Sequence, residues 1–449
     1  MAKSRKPSSS DLRGKVAEVL ARAIVPGSHL ALGLSGGVDS VSLLSILLQL
    51  APARQFSLRA VHVNHGISPN SGKWAEFCAA LCARLQVPFE LETVDIGPYG
   101  RFGLEGAARR ARYDVFARIE ADFVVLAQHR DDQAETLLLQ LLRGSGLRGL
   151  SGMSRARAIP GTRVSLLRPL LDVSRDEIEA YARANSLAWI EDESNLDVVR
   201  RRNFLRHKVL PLLETQFAAA RATIARTAAH LAEAGELLDE MARGDLERAG
   251  GGPVIELSVL RELGDSRAKN LLRHLCDVRD IPPFSAARLD ELLRQLLQAR
   301  EDAAVRMVAS GWEFRRYRGR LYLDPEPASR ADLRESWNGE NSLPLLALGG
   351  VLRFKPEEGR GLSLEKLRRA PVTVRLRHGG ETLRTDQRRP RRTLKNLFQE
   401  QGVPPWRRDR LPLLYSGEDL VSVPGIGDAC DFHAMPGEPG LIVTWEPLG

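Results

Sequence analysis

Apolar positions between residues 15 and 143 alternate between short unbroken runs and longer stretches with helical spacing. "HLALGL" (29–34), "SLRAVHVN" (57–64), "FELETVDI" (89–96) and "DFVVLAQ" (122–128) have the length and content of strands. Between them, "DSVSLLSILLQL", "SGKWAEFCAALCARLQ" and "LEGAARRARYDVFARIE" repeat apolar residues three and four apart. After the last strand, "DDQAETLLLQLLRG" opens on acids and closes at Arg143-Gly144, as a helix suited to its own dipole does. Strands alternating with helices at this period predict βαβ units, hence an α/β fold with a doubly wound, Rossmann-like parallel sheet.

From about Ala218 the pattern changes to long Ala- and Leu-rich helices, "AAARATIARTAAHLAEAGELLDEMARG" and "AARLDELLRQLLQA", followed by the strand pair "WEFRRYRGRLYLDP". The stretch 325–348 is rich in Pro, Ser, Asn and Glu and reads as a linker. The predicted organisation is a polar tail (1–14), an α/β catalytic domain (15–215), a mainly helical middle domain (216–324), the linker, and a small α+β domain (349–449) with a hairpin in "LPLLYSGEDLVSVPGIG". A chain of 449 residues accommodates about three domains at ordinary domain size.

Composition narrows the class. With 43% hydrophobic and 27% charged residues the chain is globular, and neither a membrane-length apolar run nor a secretory signal stands out, so a cytoplasmic protein is expected. Four cysteines make no disulfide framework; Cys78 and Cys82 share a helical face and read as small buried hydrophobes. The net charge of +8 is concentrated: residues 371–410 hold 11 Lys plus Arg against 4 Asp plus Glu. Such a patch suits a polyanion, with nucleic acid the first candidate.

The chemistry starts at "SGGVDS" (35–40), which follows the first strand and opens the first helix, where ligands of open α/β sheets bind. Gly36 and Gly37 allow backbone N–H groups to approach an anion, Ser35 and Ser40 add hydroxyls, and the helix start supplies positive potential. The stretch lacks the Lys of a Walker A loop and does not fit GxGxxG. Asp39 beside a phosphate is either a first-turn acid or a Mg²⁺ ligand bridging to polyphosphate, since a cation must separate the two negative charges.

A second group, Asp131, Asp132 and Glu135 in "AQHRDDQAET", opens the helix after the fourth strand and can hold Mg²⁺ or grip an ammonium group. His62 and His65 end another strand, in "VHVNHG". A third group is basic: Arg109 and Arg112, then Arg202 and Arg206 within 198–208, a segment with five basic residues and no acid. Cations of this kind neutralise charge developing on a triphosphate.

These stretches carry a resemblance. "SGGVDS" is similar to the signature of PP-loop ATP pyrophosphatases, which split ATP into AMP and pyrophosphate. Within them the chain resembles the tRNA(Ile)-lysidine synthetases, on "VHVNHG", "LEGAARRARYDVF", "AQHRDDQAETLLLQLLRGSGLRGLSGM", "RPLLDVSRDEIEAYARANSLAWIEDESN", "RNFLRHKVLP" and "LKNLFQEQGVPPWRRDRLPLLY". Ile67-Ser68 and Gln128 depart from the pattern of many members.

The resemblance implies that O2 of the wobble cytidine in a CAU-anticodon tRNA(Ile) attacks the α-phosphate of ATP, and that the ε-amine of free L-lysine then displaces AMP. Ser35, Gly36, Gly37, Val38, Asp39 and Ser40 would cradle the nucleotide with His62 and His129, and Asp39 would bind Mg²⁺. An arginine among Arg112, Arg202 and Arg206 would offset transition-state charge. Asp131, Asp132 and Glu135 would recognise the lysine ammonium, one of them helping to deprotonate it. Arg384, Arg388, Arg389, Arg391, Arg392, Lys395, Arg407 and Arg408 would contact tRNA, with Trp406 either stacking on a base or buried. A homodimer is a common state for such chains. The competing readings are a tRNA 2-thiolation enzyme, which needs a cysteine set this chain lacks, and a non-catalytic tRNA-binding protein, against which the intact acids stand.

Overall fold

The computed structural model describes residues 9–193, 197–252, 254–279, 281–300, 303, 305–326 and 333–447. The chain divides between Met241 and Ala242 into two compact units, with the helix Ala220–Arg248 running through the division.

The first unit is built on a six-stranded sheet of β1 (His29–Gly33), β2 (Ser57–Asn64), β3 (Phe89–Thr93), β4 (Phe123–Val125), β5 (Ala156–Ala158) and β6 (Ser165–Leu167), in the order β3-β2-β1-β4-β6-β5. All pairings are parallel except that of the edge strand β5 with β6. Side chains alternate between two separate cores. Leu30, Leu32, Ala60, Val125 and Leu167 lie in one, and Ala31, Val61, Val124 and Leu166 in the other. Helices α1 (Ser9–Ala23), α2 (Val38–Arg54) and α3 (Ser71–Arg84) pack into the first core, and α4 (Gly103–Phe116) into the second, which makes the sheet doubly wound. Between them and the division follow α5 (Arg130–Leu142), α6 (Leu147–Leu150) and α7 (Arg175–Ala184). Because β1 pairs with both β2 and β4, the strand order reverses there, and the loops leaving β1 and β4 face one crevice.

Residues 9–14 of the expected tail belong to α1, whose Leu12, Val16 and Leu20 are buried, while residues 1–8 lie outside the described residues. Cys78 and Cys82 are buried and free, and burial pushes their thiols up to about 12 and about 11, so both act as core hydrophobes. Cys276 and Cys430 are likewise buried.

In the second unit, helices Leu257–Val278 and Ala286–Gln298 pack on a four-stranded sheet ordered Val254–Glu256, Arg320–Pro325, Trp312–Tyr317, Arg306–Ala309. The expected strand pair is therefore the centre of a larger sheet. The stretch read as a linker is not a bare connector: Arg334–Trp337 pairs with Val372–Arg375 and Ser342–Leu345 with Gly350–Glu358, whereas 327–332 lie outside the described residues. These strands belong to a five-stranded and a four-stranded sheet enclosing a core of Trp337, Phe354, Val374, Leu414 and Val443. The predicted hairpin is Leu413–Ser416 with Asp419–Val423. No helix among the described residues is long and apolar enough to cross a membrane.

Candidate active site

The loop Ser35–Ser40 joins β1 to α2. Gly36 has φ of +86°, and a Cβ there would lie 3.2 Å from both Cys78 Sγ and Ile190 Cδ1. The position therefore rejects a side chain on two grounds, conformation and space. Gly37 begins α2 with no side-chain cap, leaving the first-turn amides of Val38, Asp39 and Ser40 without the intrahelical partners that later residues have. An uncapped helix start at a strand end is an anion seat. The two serines bond within the loop itself. Ser40 Oγ donates to Gly37 O at 3.0 Å and accepts from Ser35 N at 3.2 Å, with the two hydroxyls 3.1 Å apart, so they brace the loop. Val38 is a core residue, contributing its amide and not its side chain. Replacing Gly36 by Ala should raise KM for ATP and lower Tm, the strain at a positive φ costing about 1–2 kcal/mol; nucleotide titration with a melting curve checks both.

Asp39 projects from the first turn of α2 toward the loop after β4. Its Oδ1 is buried and makes no hydrogen bond among the described residues, and lies 3.8 Å from His129 Nε2. Burial raises its pKa, partly offset by His129, Arg175 and Arg206. A buried carboxylate oxygen with no hydrogen bond, beside an uncapped helix start, fits a ligand of a divalent cation.

His129 is the N-cap of α5 and is enclosed by acids: Nε2 is 3.6 Å from Asp132 Oδ2 and Nδ1 is 3.7 Å from Asp131 Oδ2. The three acids predicted as one ammonium-binding group have separate environments. Asp131 accepts from the backbone N of Arg175 at 2.8 Å, which ties the start of α7 to α5. Asp132 accepts from the His129 amide at 3.1 Å; burial opposes its charge, but His129, Arg202 and Arg206 outweigh it and hold its pKa low. Glu135 is fully buried with both oxygens engaged: Arg202 Nε at 2.8 Å and Arg206 Nη2 at 2.9 Å on Oε2, and Arg206 Nε at 2.5 Å on Oε1. Glu135 is thus an arginine anchor and not an open ammonium receptor, because a fully enclosed carboxylate with two guanidiniums has no room for a third cation. The same arginines reach Asp132 Oδ1 at 3.3 and 3.1 Å.

Arg202 and Arg206 come from Arg201–Phe204 and the π-helical turn Leu205–Val209 that follows it. Four residues apart, both reach one carboxylate, and π turns are frequent at functional sites. Burial works against their charge, yet Asp132 and Glu135 dominate and keep both above the usual arginine range.

His62 is buried, its Nδ1 2.8 Å from Leu34 O, and desolvation lowers its pKa; it ties β2 to the end of β1 rather than opening toward a ligand. The exposed Arg112 donates to His65 Nε2 at 3.1 Å, and burial together with Arg112 lowers the His65 pKa to about 4. Sequence reading missed Arg168, buried just past β6, which donates to Gln128 Oε1 (2.9 Å), Ser154 O (2.8 Å) and Tyr113 OH (3.2 Å). Its signal was its place in "RPLL" at a strand end.

The basic set of the second unit separates in three. Arg388, Arg389, Arg391 and Lys395 are exposed on the segment entering the helix Leu394–Glu400. Arg392 is paired with Glu400, and Arg384 folds back onto the carbonyls of Gln387 and Arg389. Trp406, Arg407 and Arg408 face the strand pair Trp312–Tyr317 and Arg320–Pro325: Trp406 Nε1 and Arg407 Nε donate to Asp324 at 2.9 and 3.1 Å, and Arg408 is buried. These three make intramolecular contacts instead of forming an open RNA surface.

Residues 9–213 match the family pattern described as a PP-loop domain, 256–322 the TilS substrate binding domain, and 372–445 the TilS substrate C-terminal domain. The chain is 43% identical over 449 residues to the tRNA(Ile)-lysidine synthase of Nitrosomonas europaea, covering 100% of this chain and 98% of that one. It is 43% identical to that of Azoarcus sp. over 97% and 96% of the two chains, and 37% identical to that of Coxiella burnetii over 94% of each. With an uncapped glycine loop at the switch point, an acid beside it whose buried oxygen makes no hydrogen bond, and full-length identity of this order, the chain belongs to the tRNA(Ile)-lysidine synthase family.

Proposed function

We propose that this chain is an ATP-dependent ligase that joins free L-lysine to C2 of the wobble cytidine of CAU-anticodon tRNA(Ile), through an adenylated cytidine. The observation that carries the reading is Asp39 Oδ1, buried with no hydrogen bond beside the uncapped start of α2. Polyphosphate is held by the amides of Val38, Asp39 and Ser40, and Gly36 gives them their approach. Asp39 would hold Mg²⁺, which when bound screens the phosphates from the carboxylate and stabilises departing pyrophosphate. Cytidine O2 attacks the α-phosphate and pyrophosphate leaves, with Arg206 and Arg202 supplying positive charge from a position fixed by Glu135 and Asp132. The lysine ε-amine must be neutral to attack C2 and release AMP. Asp132 and His129 lie beside Asp39 at the start of α5, and one of them takes the amine's proton in this reading.

The exposed residues Arg388, Arg389, Arg391 and Lys395 contact the tRNA backbone in this reading, a sequence-independent grip that depends on salt. Incubation with ATP, Mg²⁺, labelled lysine and a panel of tRNAs should transfer label only to the CAU-anticodon species, with release of AMP and pyrophosphate. Labelled sulfur transfer in place of lysine transfer would favour a thiolation enzyme. Arg388→Glu combined with Lys395→Glu should weaken tRNA binding and reduce its salt slope by about 2, since each lost phosphate contact removes roughly one from that slope.

A further inference from the structure

The strand pair Trp312–Tyr317 and Arg320–Pro325 has two faces, set by the two-residue period of a strand. Trp312 and Phe314 pack with the core of the two helices. Glu313, Arg315 and Tyr317 lie on the other face, opposite Asp324, Tyr322 and Arg320. The short helix Pro405–Arg408 is seated on that second face.

The contacts are dense. Trp406 is set edge-on to Tyr317 and Tyr322, with centroids 5.9 and 5.6 Å apart and interplanar angles of 84° and 85°. The guanidinium of Arg315 is 4.9 Å from the Trp406 ring centroid, and that of Arg407 is 5.0 Å from the Tyr322 centroid. At the centre, buried Asp324 accepts from Trp406 Nε1 at 2.9 Å and from Arg407 Nε at 3.1 and 3.2 Å and Nη2 at 2.5 Å. Arg410 adds a bond to the carbonyl of Pro325. One carboxylate thus satisfies an indole N–H and a guanidinium fork together, in a charge-assisted geometry that a displaced partner cannot keep.

The core behind the strand pair and the cores of the C-terminal sheets share no residue. Bodies joined through polar and aromatic contacts move relative to one another unless a specific link fixes them. Pro405–Arg408 is coupled to the helix carrying Lys395, because Val403 N donates to Phe398 O at 2.8 Å and Phe398 is buried.

We propose that Asp324 is a positioning residue for tRNA. By clasping Trp406 and Arg407 it fixes the exposed basic surface of Arg388, Arg389, Arg391 and Lys395 in one orientation relative to the 254–325 body, so the RNA meets one rigid surface. This rests on the reading that the basic surface contacts tRNA. Releasing the clasp leaves every RNA contact available but makes binding carry the ordering of two loosened bodies, so tRNA affinity falls while the chemistry does not.

The test is steady-state kinetics of the full chain with full-length tRNA. Asp324→Ala should raise KM for tRNA about tenfold and leave kcat at saturating tRNA and KM for ATP unchanged. Asp324→Glu should recover part of the loss. Asp324→Ala with Arg407→Ala should be no worse than Asp324→Ala alone, as expected of partners in one interaction. A fall in kcat with KM for tRNA unchanged marks a merely structural residue and overturns the proposal, as does an unchanged KM. If Asp324→Ala does not fold, Trp406→Phe and Arg407→Gln are judged by the same split. Arg388→Glu with Lys395→Glu separates the two readings: unchanged tRNA binding removes the surface itself, whereas weakened binding beside a normal Asp324→Ala removes only the clasp.

Discussion

Asp39→Asn should lower ATP-dependent pyrophosphate release by roughly 10²–10³-fold or more, the range seen when one charge-stabilising group is lost from a preorganised site. The same substitution should raise Tm of the ligand-free protein. Asp39 Oδ1 is buried with no hydrogen bond, and burial raises its pKa more than His129, Arg175 and Arg206 lower it. For an acid raised in this way the folded state disfavours the ionised form, so the penalty is present above the folded-state pKa and disappears as pH falls and the group is protonated. Asn removes that penalty at neutral pH while nearly preserving shape. Loss of activity together with a gain in stability is the signature of a carboxylate kept for a cation. A fall in Tm with activity retained would reduce Asp39 to a helix-start acid. The paired measurement is pyrophosphate release with saturating tRNA and lysine, and a thermal melt without ligands. Transfer-RNA binding by the variant should remain normal.

Asp39 also shows what could be read before any coordinates. The four strands, their helices and the crevice were legible because both kinds of period were clean between residues 15 and 143, and a parallel sheet puts every strand end on one side. The contribution of β5, β6 and α1 was not: β5 is the exposed ARA with no apolar run, β6 is a short SLL beyond the alternating stretch, and α1 begins inside a stretch that reads as a polar tail. Site membership could be read from residue type and position along a strand or helix, but pairing could not. Glu135 sits one helical turn after Asp131, yet its partners lie 67 and 71 positions further on, and nothing local encodes that meeting. The choice left open for Trp406, stacking or burial, could not be made locally for the same reason: Asp324, more than eighty residues upstream, meets Trp406 and Arg407 from within the chain.

The Glu135 anchor gives the second large effect. Glu135→Ala should cost about 3–5 kcal/mol of stability in the first unit, because it leaves Arg202 and Arg206 partly buried around an absent carboxylate, and breaking a buried pair costs more than the pair itself contributes. Glu135→Gln keeps the shape and one acceptor oxygen but turns an NH₂ group toward the guanidiniums, so it should be milder in Tm and still severe in catalysis. The kinetic split decides between an anchor and a lysine receptor. If Glu135 acts through the arginines, Glu135→Gln lowers kcat for pyrophosphate release and leaves KM for lysine where it was, since adenylation precedes lysine attack. If Glu135 grips the ammonium, KM for lysine rises and pyrophosphate release at saturating lysine survives. Both oxygens are already engaged in the folded chain, which makes the first outcome the expected one. Asp132→Asn is the companion measurement: its Oδ2 faces His129 while Oδ1 meets the arginines, so it should weaken both the adenylation step and the lysine step.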